Sequence, residues 1–80
     1  MIMIFLNDIL GKINYHTKLE LIEVDYYRLH GKEKRLYITD SFSNKDYYTC
    51  KEKYGTYSIT NFCCKDNYLQ LYIWNGKEAD

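Results

Sequence analysis

The chain has 80 residues, eleven basic and eleven acidic side chains for a formal net charge of zero, and ten tyrosines. Eighty residues are too few for two independent cores, so residues 1–80 are expected to form one small domain. The charge balance argues against extended nucleic-acid binding, which draws its affinity from many Lys and Arg contacts to phosphate, and it excludes a strongly acidic nucleic-acid mimic.

Ile2, Ile4 and Leu6 alternate, which predicts a short strand near residues 2–6. Phe5, Leu6, Ile9, Leu10 and Ile13 follow helical spacing, which predicts a helix from about Asp8 to Asn14 with Asn7 as its N-cap. Asp8 in the first turn suits the helix dipole, whereas Gly11 weakens the helix. Thr17 to Leu29 reads as a long strand. Leu19 and Leu21 share one face and Ile22, Val24 and Tyr26 the other, so the strand has a β-bulge near Leu21–Ile22 or is buried on both faces. His30 to Lys34 is a polar turn, and Arg35 to Asp40 the returning strand of a hairpin.

Ser41 to Asp46 is loop chemistry, with a short edge strand expected over Tyr47–Cys50 and a turn over Lys51–Gly55. Thr56 to Cys64 is a strand, Lys65-Asp66-Asn67 a tight turn, and Tyr68 to Trp74 the last strand. The predicted architecture is α+β: one short N-terminal helix packed on a four- to six-stranded, mainly antiparallel sheet.

Within the last strand, Leu69, Leu71 and Ile73 are the core parity and Tyr68, Gln70, Tyr72 and Trp74 the other. Three aromatics on a nominally outward face are either covered within the monomer by the helix or a second layer, or mark an interaction surface; with the small size the latter points to a homo-oligomer. A second cluster surrounds the first hairpin: Arg28, His30 and Arg35, with Tyr26 and Tyr37 near them in sequence. Arg forks suit phosphate and aromatic faces suit bases, so these five residues are the candidate site for a small nucleotide-type ligand.

Cys50, Cys63 and Cys64 are an odd number with two adjacent, which is not a disulfide framework. Cys63 and Cys64 should point to opposite faces of their strand, one into the core and one outside. With His16 and His30 they make no metal-ligand spacing, so no metal or other cofactor is expected. The four glycines are isolated and form no phosphate loop. A Cys–His dyad could be drawn only by bringing distant residues together, and no enzymatic activity is expected. The apolar start Met1–Leu6 lacks a basic flank and is too short to span a membrane, so a cytoplasmic protein with no membrane partner is expected.

The order of Asn7-Asp8-Ile9-Leu10-Gly11-Lys12-Ile13, a hairpin, Tyr57-Ser58-Ile59-Thr60 and Leu69-Gln70-Leu71-Tyr72-Ile73 resembles small phage accessory proteins of anti-defence type. The resemblance implies a non-enzymatic binding protein acting in the host cytoplasm. Its first expected action is to sequester a nucleotide-derived immune signal as a homo-oligomer; the alternative is to block a host defence protein by contact. No binding residue is carried over from it.

Overall fold

The computed structural model describes residues 3–24 and 33–76. In chain order the elements are α1 (Leu6–Leu10), β1 (Leu19–Glu23), β2 (Lys34–Thr39), α2 (Asn44–Tyr54), β3 (Ser58–Lys65) and β4 (Tyr68–Trp74). The four strands form one sheet in the order β2-β1-β4-β3. The fold is α+β, with two helices rather than one. The sheet is mixed: β1–β2 and β3–β4 pair antiparallel, while the central β1–β4 pair is parallel.

The core lies between the helices and one face of this sheet. Leu19 and Leu21 of β1 and Leu71 and Ile73 of β4 meet Leu6 and Leu10 of α1, Phe42 before α2, and Cys50 on α2. Leu69, Tyr37 and Ile59 pack around this cluster, so the parity read for the last strand holds. The Asp66-Asn67 turn has positive φ at both residues, 55° and 69°. That geometry matches the right-handed twist of two strands joined by a two-residue loop, and Asp and Asn tolerate it better than most residues.

Several expectations are corrected. α1 begins at Leu6 and ends at Leu10, and Asn7 lies inside it. Asp8, not Asn7, serves the helix start: its Oδ2 accepts the Phe5 N–H at 2.9 Å. The N-terminal strand reduces to a bridge between Phe5 and Ser58, with Ile2 outside the described residues. The edge strand expected over Tyr47–Cys50 is the middle of α2. Ser43 and Asp46 form its capping box, the Ser43 N–H donating to Asp46 Oδ2 at 2.8 Å, and this cap overrides the strand preference of Tyr-Tyr-Thr-Cys. α2 ends at Gly55, where α1 passes close by. A Cβ there would lie 2.7 Å from the Asn7 side-chain oxygen, and the Asn7 N–H donates to the Gly55 carbonyl at 3.0 Å.

The irregularity foreseen near Leu21–Ile22 is present, but the extra residue belongs to the neighbouring strand. Leu21 pairs with Tyr37 and Ile22 with Arg35, which leaves Leu36 as the inserted residue of β2. β1 itself keeps an unbroken register against β4 and is buried on both faces from Leu19 to Ile22. Neither Cys63 nor Cys64 enters the core; both are exposed on β3, and Cys50 is the buried cysteine.

Candidate functional site: the second face of the sheet

Alternation along β1 and β4 sends Glu20, Ile22, Tyr68, Gln70 and Tyr72 to the face opposite the helices, and no described helix crosses that face. The Leu36 bulge adds Arg35 to it. Arg35 and Tyr37 are two residues apart and would share a face in a regular strand. With Leu36 inserted between them, Arg35 pairs beside Ile22 while Tyr37 pairs beside core-facing Leu21.

Together Glu20, Ile22, Arg35, Tyr68, Gln70 and Tyr72 line a depression of about 430 Å³. Its floor is a polar chain. The Gln70 side-chain amide donates to Glu20 Oε1 at 2.6 Å, and Arg35 Nε donates to the other carboxylate oxygen. The Gln70 hydrogen bond is the largest influence on Glu20; together with Arg35 it holds the carboxyl below its usual range, against the opposing effect of burial. The Glu20 side chain is 8% exposed and that of Arg35 is 61% exposed. The pair therefore joins a buried anion to a cation that reaches solvent.

Tyr68 and Tyr72 stand on either side of Gln70 along β4. The Tyr68 hydroxyl donates to Asp40, and this bond is the first cause of its raised pKa. Lys18 Nζ sits 5.7 Å from the Tyr68 ring centroid, within cation–π range. Tyr72 is pushed upward by burial first and then by Glu33, Cys63 and Glu20. Both phenols are thus neutral hydrogen-bonding aromatics at physiological pH. Glu33, Lys65 and Asp66 also line the depression, so its charged side chains are mixed in sign.

The expected interface residues Tyr68, Gln70 and Tyr72 are therefore brought together, and Trp74 shares their parity at the end of the strand. Of the expected ligand cluster, Arg35 and Tyr37 are the two members among the described residues. Tyr26, Arg28 and His30 lie outside the described residues. Arg35 reaches the depression, but Tyr37 is on the helix face, where its hydroxyl donates to Asp46. Burial first, and then Asp46, raises the Tyr37 pKa. Arg35 and Tyr37 thus cannot hold one ligand between them. Glu20, Ile22, Glu33, Ile38, Lys65 and Asp66 line the depression without having been expected there. The visible signal for Glu20 is a carboxylate inside the apolar run Leu19 to Ile22.

No family model, no curated protein and no solved structure matches this chain.

His16 Nδ1 lies 2.9 Å from Ser41 Oγ, but no described carboxylate orients the ring as in hydrolytic triads. The Cys50 thiol is pushed up to about 12, by burial first and then by Asp46, so it stays protonated and is a poor nucleophile. Among the described residues no group of three or more His, Cys, Asp or Glu side chains is placed to hold a metal ion. None of the described helices is long and apolar enough to cross a membrane. A second depression of about 410 Å³ lies between the end of α1 and the start of α2, lined by Leu10, Ile13, Phe42 and Tyr47, with Tyr15 bonded to Asn44 at its mouth. Its walls are the margin of the core, and no charged side chain of the described residues lines it.

Proposed function

We propose that this chain is a non-catalytic binding protein that takes a protein partner on the second face of its sheet, acting as a contact inhibitor of the anti-defence type its sequence resembles. The observation that carries the reading is the depression in which Tyr68 and Tyr72 flank the Glu20–Gln70–Arg35 chain. Tyrosine and arginine are the residue types that dominate protein–protein contact energy, and a face of mixed charge suits a partner surface of complementary signs. Phosphate would meet three carboxylates there, those of Glu20, Glu33 and Asp66, against the two cations Arg35 and Lys65.

One observation favours a second reading, sequestration of a small nucleotide. The well-exposed Arg35 can reach a phosphate while a base stacks on Tyr68 or Tyr72.

Two measurements separate the readings. A photo-reactive phenylalanine analogue replaces Tyr72 in one variant and Tyr15, an exposed residue outside this face, in another. Irradiation in host cells should give, from position 72 and not from 15, a cross-linked product that mass spectrometry identifies as a different protein. In parallel, the pure chain is mixed with cyclic and ADP-ribose-type nucleotides and then heat-denatured. Depletion followed by return of intact nucleotide, with no cross-link at 72, replaces the contact reading with sequestration. Return of altered nucleotide overturns both.

A further inference from the structure

β3 is an edge strand. β4 lies on one side of it, and among the described residues the other side is taken only at its start, where Phe5 bridges Ser58 and the Ile4 carbonyl accepts the Ile59 N–H at 2.7 Å. From Thr60 to Lys65 no described strand occupies that side. Such an edge presents a row of backbone N–H and C=O groups that another strand would satisfy. Folded proteins usually blunt it with charge, proline or a bulge. Here Ser58 to Cys64 contains neither charge nor proline. The bulge, at Thr60 between the Ile59 and Asn61 pairings, falls at the beginning of the open stretch and leaves the rest regular. Phe62 is 57% exposed, and Cys63 and Cys64 are exposed beside it. Apolar side chains thus stand unburied on both faces of the same edge.

We propose that this edge pairs antiparallel with the same edge of a second copy, joining two sheets into one about a two-fold axis at Phe62. The occupant follows from charge and symmetry. Thr60 to Cys64 is the uncharged stretch that no described strand pairs on that side, and it is centred on Phe62. Self-pairing there sets the two Phe62 rings side by side and brings Asn61 opposite Cys63, with no like charges facing each other. Lys65 falls just outside the paired stretch. The other edge of the sheet does not offer an equivalent. β2 opens with Lys34 and Arg35 and is bulged at Leu36, and joining β3 to β2 would be a head-to-tail contact that propagates instead of closing.

The test is self-association of the full chain. Light scattering at high micromolar concentration should give twice the 9.7 kDa chain mass. Amide exchange over residues 60–64 should be slow when concentrated and fast on dilution. Phe62→Lys places two like charges on the axis and removes the ring contact, so the dissociation constant should rise on the order of tenfold. Phe62 is exposed, and an unchanged melting curve should confirm that the variant folds. Should that melting curve be lost, Asn61→Lys carries the same charge to the other face of the same edge and gives the same readout. A monomer mass across the concentration range overturns the proposal. So does a dimer whose mass and 60–64 exchange are unaffected by the folded variant. Because Tyr72 and the β3 edge are probed separately, failure here leaves the partner-capture result standing, and the reverse.

Discussion

Replacing Gln70 by Ala removes one donor from a carboxylate that the fold has buried. The Glu20 side chain is 8% exposed, and Gln70 Nε2 is 2.6 Å from its Oε1. A hydrogen bond to a charged group contributes about 1.5–3 kcal/mol, and Glu20 keeps its second donor, Arg35. About 2 kcal/mol is a large share of the stability of a chain this size, which at 0.05–0.15 kcal/mol per residue is roughly 4–12 kcal/mol. In urea, with a slope of about 1 kcal/mol per molar, the midpoint should fall by about 2 M at neutral pH. The pH dependence makes the test specific. Glu20 titrates below its ordinary value of 4.5 in the folded state. The stability from its charged form is therefore complete above the unfolded pKa and is lost as pH falls through the folded one. The gap between parent and Gln70→Ala should accordingly be narrower at acid pH, once pH has fallen through the folded-state value and the carboxyl has taken up its proton, than at neutral pH. Arg35→Ala should cost less than about 1 kcal/mol at neutral pH, because that side chain is mostly solvated. A midpoint drop that is the same at both pH values, or one larger for Arg35→Ala than for Gln70→Ala, would refute the reasoning.

Leu71→Ala truncates a fully buried residue in the central strand and should cost about 2–5 kcal/mol; a melting temperature equal to the parent's would mean that the face assignment of β4 is wrong. Ellman's reagent should react rapidly with Cys63 and Cys64 in the native chain and with Cys50 only after denaturation, since Cys50 is buried and its thiol is held protonated. Rapid native reaction of all three would contradict the placement of α2 against the sheet.

What was legible in the sequence was local. β4 runs from Tyr68 to Trp74 as alternation foretold, the turn before it sits at Asp66-Asn67, and Leu71 and Ile73 are fully buried. Each of these follows from neighbours two residues apart or from residues that tolerate positive φ. What failed depended on distant partners. Tyr47 to Cys50 reads as a strand by composition, yet Cys50 faces the core from a helix that Ser43 and Asp46 start. The parallel pairing of β1 with β4 joins segments some fifty residues apart, and no local pattern encodes it. The candidate site was half visible for the same reason. Tyr68, Gln70 and Tyr72 could be grouped from one strand, whereas the separation of Arg35 from Tyr37 required the Leu36 insertion, a property of two paired strands.

The tyrosines show how the two faces divide their work. Tyr37 and Tyr54 face the helix side and place their hydroxyls on fixed acceptors, Tyr37 on Asp46 and Tyr54 on the Leu36 carbonyl. There they extend a core that has only eight Ile, eight Leu and one Val in the whole chain to draw on. The second face is built differently. Its centre holds Glu20 and Gln70, both nearly inaccessible, on two adjacent central strands of the sheet. A buried polar pair of this kind is often less stable than apolar residues of similar volume. Leu19, Leu21 and Leu71 show that the same strands carry apolar residues where the core needs them. Stability alone therefore does not account for a carboxylate and an amide at that position. A carboxylate pre-set by Gln70 and joined to a solvent-reaching Arg35, between two tyrosine rings, suits the partner-binding role proposed for this face.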